Sequence, residues 1–88
     1  MSLYLDFDNQ QKGYESFKLS TENIKANIGK QICYVTSRDV DRRRGYVFPR
    51  YNTIHSLKYR RLYIGDGSDY VPIGDILDCG IKKSVPKI

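Results

Sequence analysis

The chain has 88 residues, and its 15 lysines and arginines exceed its 10 aspartates and glutamates, giving a formal net charge of +5. This length fits a single domain over 1–88 and excludes two domains. No run of about 18 apolar residues is present, which excludes a membrane-spanning helix, and the opening MSLYLDFD lacks the basic region and apolar core of a signal peptide. We therefore expect a cytoplasmic protein that does not contact membranes.

The two cysteines, Cys33 and Cys79, are too few for a fold that disulfides hold together. Neither belongs to a CxxC pair. With His55 as the only histidine, a structural zinc site lacks ligands. The sequence therefore predicts two buried thiols and no metal or other cofactor.

The N-terminal segment, residues 1–19, predicts a strand or hairpin extension. LYLDFD at 3–8 alternates apolar and polar residues, as in a half-buried strand. A polar turn that contains Gly13 follows, and 14–19 alternates again in part. We expect these two short segments to pair with each other.

One short helix is expected after this extension. Ser20 or Thr21 suits the N-cap of a helix, and Glu22 lies in the first turn, where a carboxylate interacts favourably with the helix dipole. Gly29 is typical of a residue just beyond a helix end. The sequence therefore predicts an α-helix near residues 21–28.

The rest of the chain predicts short strands. Their expected bounds are 31–37, 46–48, 52–57, 61–64, 70–72 and 78–81. The segment 39–45 is almost wholly charged and is excluded as a buried strand. GDGSD at 65–69 is the strongest turn signal, 73–77 indicates a single tight turn, and 82–88 is expected to be a basic tail.

This order of elements resembles the small SH3-like barrels, a class that includes the Tudor and KOW modules. The segments that carry the resemblance are IGKQICYV at 28–35, NTIHSL at 52–57 and YVPIGDILDCGI at 70–81. The resemblance implies a mainly β fold with an SH3-like barrel over 29–81, closed by a short strand, one 3₁₀ turn and a last strand. It also implies that the first and last strands are neighbours, which brings Cys33 near Cys79. The basic loop and the lack of tryptophan argue against the recognition of PxxP peptides that is typical of SH3 domains.

Positive charge is concentrated in the middle of the chain. Residues 30–64 carry nine basic residues against two aspartates, whereas the segments on either side are each slightly acidic. Guanidinium groups bind phosphate oxygens in pairs, and tyrosine rings stack on bases. The candidate residues for binding nucleic acid or a protein partner are Arg38, Arg42, Arg43, Arg44, Tyr46, Arg50, Tyr51, Tyr59, Arg60 and Arg61.

Two questions about these residues stay open at this point, one about the arginines and one about the aromatic residues. The arginine triplet at 42–44 either contacts phosphates or forms a solvated loop that Asp39 and Asp41 partly neutralise. For the aromatic residues, either Phe48 is a core residue with one tyrosine lying over it, or Tyr46 or Tyr51 forms, with Tyr59, a stacking or partner-contact surface beside the arginines. If the loop at 58–60 lies near the triplet, the two form one patch of basic groups.

The sequence predicts a binding module and not an enzyme, because it contains no P-loop, no metal-protease motif and no nucleophile motif. We expect the basic, tyrosine-rich face to contact the phosphates of DNA or RNA with low sequence specificity. The alternative is a small adaptor or inhibitor that binds an acidic protein surface, of the kind that a phage or another mobile element encodes. A monomer or a homodimer is expected, and an exposed edge strand within 1–19 would favour the dimer.

Overall fold

The computed structural model describes residues 4–7 and 9–83. These residues are mainly β with one short α-helix, as predicted. The strands are β1 (Tyr14–Ser16), β2 (Gln31–Thr36), β3 (Val40–Asp41), β4 (Tyr46–Val47), β5 (Arg50–Lys58), β6 (Arg61–Ile64), β7 (Asp69–Pro72) and β8 (Ile76–Lys82). The helical elements are α1 (Thr21–Ala26) and two 3₁₀ turns, Ser37–Asp39 and Ile73–Asp75.

Six strands form one antiparallel sheet in the order β1-β8-β2-β5-β6-β7, and β3 and β4 form a separate hairpin. The long strand β5 pairs with two neighbours. Its residues 50–53 pair with β2, whereas 54–58 pair with β6, with an irregularity in register between Ile54 and Ser56. In the part of the chain that the structure describes, the sheet is open at β1 and β7, so closure into a barrel is not observed.

The main hydrophobic cluster lies on one face of the sheet, under α1. Its buried members are Ile24, Ile32, Tyr34, Ile54, Leu62, Ile64, Cys79 and Ile81. The helix begins because the Ser20 side chain accepts a hydrogen bond from the Asn23 amide at 3.1 Å, which satisfies one of the free donors of the first turn. Ile24, with no exposed surface, is the residue that the helix buries against the strands.

A second cluster covers the opposite face of β2 and β8. Leu5, Tyr14, Cys33 and Val35 are its buried members, and side chains of the β3–β4 hairpin pack against it. Successive residues of a strand point to opposite faces, so β2 sends Ile32 and Tyr34 into the first cluster and Cys33 and Val35 into the second. The central strand is therefore buried on both faces.

The predicted N-terminal hairpin is wrong. Residues 4–7 are not a strand; the amides of Tyr4 and Leu5 donate to the Asp78 carboxylate at 3.3 and 3.1 Å. The Asp6 carbonyl then accepts from two later amides, so the chain turns. β1 pairs with β8 instead. Positions 3 and 8 of the predicted strand, and 84–88 of the predicted tail, lie outside the described residues.

The other predicted elements are found with shifted bounds. The helix ends at Ala26 and not at Ile28, β5 begins two residues earlier than predicted, and β8 also begins two residues earlier. The hairpin strand β3 is an element that the charged composition of 39–45 did not predict. The turn at 73–77 is present as a 3₁₀ turn.

Both cysteines are buried free thiols, as predicted. The strands β2 and β8 are neighbours, and Cys33 pairs with Gly80, the residue after Cys79. The two side chains nevertheless belong to different clusters, because they lie on opposite faces of the sheet. Burial raises the pKa of the Cys33 thiol to about 11 and that of the Cys79 thiol to about 12, so both stay protonated at neutral pH.

Candidate functional site

The arginine triplet lies at the tip of the β3–β4 hairpin. The Asp41 carboxylate accepts hydrogen bonds from the amides of Arg43 and Arg44 at 3.1 and 3.3 Å, and Gly45 completes the tip with a φ of +71°. These bonds order the backbone of the tip and leave the side chains of Arg42, Arg43 and Arg44 exposed.

The acidic groups of the hairpin neutralise little of this charge. The nearest pair at the tip joins Arg44 Nε to Asp41 Oδ2 at 4.0 Å, which is weak for an exposed pair in water. Asp39 lies at the hairpin base and pairs with Arg50 instead. Among the described ion pairs, the three exposed arginines of the tip therefore have one weak partner, Asp41.

Asp39 fixes the base of the hairpin. Its buried carboxylate accepts from the Thr36 amide at 3.0 Å, from the Thr36 hydroxyl at 2.8 Å and from Arg50 Nε at 2.9 Å. Its carbonyl accepts from the Phe48 amide at 2.8 Å, which joins the two arms. Burial alone would raise the pKa of Asp39, but the hydrogen bonds from Thr36 and Arg50 outweigh it and hold the pKa below the ordinary value.

The aromatic residues that follow the tip are exposed. Tyr46 and Phe48 lie with their ring centroids 6.3 Å apart and are 58% and 59% exposed. The interpretation of Phe48 as a core residue is therefore wrong. Because both side chains point to the same side of an extended segment, they present two neighbouring ring faces beside the arginines.

Tyr51 has a structural position. Its ring lies 5.7 Å from that of Tyr14, and its hydroxyl donates to the side-chain oxygen of the buried Gln11. It therefore covers the second hydrophobic cluster and connects β5 to the N-terminal segment.

Tyr59 and Arg60 form the two-residue turn between β5 and β6. Both adopt positive φ values, 53° and 60°, and Tyr59 is 89% exposed. This turn follows the last residue of β5, whereas the β3–β4 hairpin precedes the first residue of β5. The two basic loops are therefore attached to opposite ends of a nine-residue strand.

A third group of residues meets around Tyr70, which sequence reasoning did not select. Arg61 lies over the Tyr70 ring, with its guanidinium carbon 4.7 Å from the ring centroid, and the Tyr63 ring lies 5.6 Å from the same ring. Beside Tyr70 is a surface depression of about 130 Å³ whose charged lining residues are Arg38, Arg50 and Asp75. Of the predicted arginines, Arg61 thus contacts Tyr70, and Arg38 and Arg50 line the depression of which Tyr70 forms a part.

Tyr70 was not selected because it lies outside the basic segment 30–64, and Tyr63, although inside that segment, follows its last arginine. The signal that indicates them is alternation in 61–64 and 69–72, which places Arg61, Tyr63, Tyr70 and Pro72 on one face of two neighbouring strands. The observed register confirms this, since Tyr63 is opposite Tyr70 and Arg61 is opposite Pro72.

The described residues contain no group of three or more histidine, cysteine, aspartate or glutamate side chains arranged to hold a metal ion. In the same part of the chain, no helix has the length and apolar character needed to cross a membrane. Comparisons of the chain with protein-family models, with curated proteins and with solved structures found no match.

Proposed function

We propose that this chain is a non-enzymatic module that binds nucleic acid through the phosphates. The observation that carries the proposal is the hairpin tip, where Arg42, Arg43 and Arg44 are exposed on a backbone that Asp41 orders. Guanidinium groups match the geometry of phosphate oxygens, and a preformed tip reduces the entropy lost when the complex forms. The neighbouring Tyr46 and Phe48 rings suit contact with bases.

Sequence specificity should be low. The only α-helix among the described residues is six residues long, and it buries Ile24 against the sheet. It is therefore engaged in the core and not free to enter a major groove. Contact through phosphates does not distinguish one sequence from another.

The proposal extends to the fold. The strand order β8-β2-β5-β6-β7 and the 3₁₀ turn between β7 and β8 support an SH3-like arrangement of residues 29–81. The pairing of β5, with β2 at its start and with β6 at its end, supports the same interpretation. Under this proposal, β1 and the N-terminal segment are additions to the edge formed by β8.

The test is fluorescence anisotropy with labelled single- and double-stranded DNA and RNA over a series of salt concentrations. The variant changes Arg42, Arg43 and Arg44 to alanine. The control changes the exposed Lys12, Lys18 and Lys25 to alanine, which removes the same charge far from the tip in sequence. Each phosphate contact contributes roughly 0.7 to 0.9 to the slope of log affinity against log salt. We expect the slope of the arginine variant to be smaller by about two to three, and the control to retain the wild-type slope.

Circular dichroism should first establish that all three proteins are folded. The proposal is wrong if folded wild type binds none of the four nucleic acids at low salt. Equal losses in the arginine variant and the lysine control would show a response to net charge alone and would contradict the hairpin as the site.

A second candidate function is favoured by the exposed Tyr46–Phe48 pair. Arginine and aromatic residues dominate the energetics of protein interfaces, and two exposed neighbouring rings beside three arginines suit an acidic protein surface. An adaptor or inhibitor of this kind should bind its protein partner through the same tip. Capture of an acidic partner that the arginine variant loses, without any binding to nucleic acid, would support this alternative.

A further inference from the structure

The residues around Tyr70 form a second surface with a chemistry different from that of the hairpin tip. The Tyr70 surface consists of Arg38, Arg50, Arg61, Tyr63, Tyr70 and Asp75. We infer that it takes one unpaired base together with its phosphate, so that the module selects single-stranded over double-stranded nucleic acid. This inference rests on the proposed function and names its substrate class.

The Tyr70 ring is both exposed and held in position. It is 45% exposed, yet Arg61 lies over it at 4.7 Å and Tyr63 lies beside it at 5.6 Å. The strand register places all three residues on one face of the sheet, because Tyr63 is opposite Tyr70 and Arg61 is opposite Pro72. Unpaired bases stack on tyrosine rings and on guanidinium planes. A ring that neighbours already restrain loses little further freedom when a base stacks on it.

The depression beside Tyr70 provides the phosphate contact. Arg38 lies on the first 3₁₀ turn and Arg50 on the first residue of β5, and both line the depression. The hydrogen bonds from Arg50 Nε to Asp39 at 2.9 and 3.0 Å orient the guanidinium, while the Arg50 side chain stays 54% exposed. The outer nitrogens of such a guanidinium can then donate to a phosphate oxygen.

Asp75 lines the same depression and favours contact with an unpaired base. While Arg38 and Arg50 hold the phosphate, the Asp75 carboxylate accepts hydrogen bonds from an amino group on the base, such as that of cytosine. In a duplex one proton of each such amino group is used in base pairing and the other lies within the major groove. An unpaired base can bring both protons to the carboxylate.

The test compares the affinities for matched single-stranded and double-stranded oligonucleotides, in both DNA and RNA. The variants are Tyr70→Ala and Tyr70→Phe, and the control is Leu77→Ala, since Leu77 is 41% exposed and lies outside the Tyr70 surface. Stacking of one base on an aromatic ring changes affinity by roughly 5-fold to 100-fold. We expect Tyr70→Ala to lose at least about fivefold affinity for single strands and almost none for duplexes. Tyr70→Phe should keep the affinity because it keeps the ring.

A spectroscopic measurement localises the contact. With ring-labelled tyrosine, the NMR signals of Tyr63 and Tyr70 should shift on adding a single-stranded oligonucleotide and stay in place on adding the duplex. Single strands of DNA and of RNA should both produce the shift, and a shift with RNA alone would point to a 2′-hydroxyl contact at the same surface.

The outcomes separate this inference from the proposed function. If Tyr70→Ala binds single strands as tightly as wild type, the inference is wrong while the hairpin proposal stands. If the hairpin variant keeps all affinity and Tyr70→Ala loses it, the hairpin proposal fails and the Tyr70 surface becomes the main site. Absence of any binding by folded wild type overturns both.

Discussion

Asp39 shows how much a single residue contributes to the candidate site. Its carboxylate accepts three kinds of hydrogen bond, from the Thr36 amide, the Thr36 hydroxyl and the Arg50 side chain, and it is buried. Removal of this carboxylate leaves the buried donors of Thr36 without an acceptor, and one such unsatisfied donor costs about 1–3 kcal/mol. Asp39→Ala should therefore lower the free energy of unfolding by about 2 kcal/mol in urea titrations.

Asp41→Ala is the matched control on the same hairpin. The Asp41 carboxylate accepts its hydrogen bonds from exposed amides, so the free energy of unfolding should fall by less than about 1 kcal/mol. Equal losses in the two variants would show that Asp39 has no special role at the hairpin base.

Asp39 also predicts a pH dependence of stability. The pKa of its carboxyl is below the ordinary value of 3.8 in the folded protein, because the bonds from Thr36 and Arg50 outweigh the effect of burial. A lowered pKa contributes stability that is complete above the unfolded pKa and is lost as the pH falls through the folded pKa. The free energy of unfolding should therefore decline below about pH 4.

Urea titrations between pH 2.5 and pH 6 measure this decline, and Asp39→Asn should make it shallower. Some decline of the free energy of unfolding with falling pH should remain in this variant, because hydrogen bonds from Ser68 lower the pKa of the Asp66 carboxyl too. An unchanged slope in Asp39→Asn would mean that the Asp39 carboxylate is not bonded as described.

The sequence could not reveal the partner of Arg50. Arg50 was selected for its charge, yet part of its hydrogen-bonding capacity is used by a residue eleven positions earlier. That contact exists only because the hairpin closes and brings its two arms together. The same limit applies to Phe48, since alternation places Tyr46 and Phe48 on one side without showing whether that side is buried.

At the scale of elements, the N-terminal segment covers one face of β2 and so protects one thiol. Leu5 and Cys33 belong to the same buried cluster, with Phe7 packed against it, whereas Cys79 belongs to the other cluster. Leu5→Asp and Phe7→Ala should therefore speed the reaction of Cys33 with a thiol reagent. Cys79 should react as slowly as in wild type. Mass spectrometry of the labelled peptides distinguishes the two sites.

A substitution of the exposed Ile28, Ile28→Asp, is the control and should leave both thiols protected. Equal acceleration at Cys33 and Cys79 in the Leu5 and Phe7 variants would show general unfolding and contradict the separation of the two faces.

Sequence pattern predicted the strands of the main sheet well, because each has β-branched or aromatic residues that point to a buried face, and β2 has them on both faces. It failed at 4–7, where the same alternation is present without a strand. Alternation reports which side chains share a face and does not provide a neighbouring strand with which to pair. Leu5 is buried as the pattern indicates, but the backbone amides of Tyr4 and Leu5 bond to the Asp78 side chain.

The Tyr70 surface escaped prediction for a related reason. Tyr63 and Tyr70 are seven residues apart on two strands, and only the register across the turn at 65–68 makes them neighbours. The charge of the triplet at 42–44, in contrast, needs no tertiary contact to be noticed. Local charge was therefore predictable from sequence, and clustering across strands was not.

At the scale of the whole molecule, the two hydrophobic clusters share one strand and should unfold together. β2 places Ile32 and Tyr34 in one cluster and Cys33 and Val35 in the other, and all four are almost fully buried. If the residues that cover one face of β2 come away, the strand loses the packing that holds it in place. The cluster on its other face is then exposed as well. We therefore expect one cooperative transition, with tyrosine fluorescence and far-ultraviolet circular dichroism giving the same midpoint.

Two variants test this sharing, one in each cluster. Ile54→Ala truncates a buried residue of the first cluster and should cost about 2–5 kcal/mol. Val35→Ala truncates a buried residue of the second and should cost less, about 1–3 kcal/mol, because fewer methyl groups are removed. Both variants should lower the midpoint of the same single transition. Two separate transitions, with Val35→Ala shifting only one of them, would show that the second cluster folds independently and that β2 does not couple the two faces.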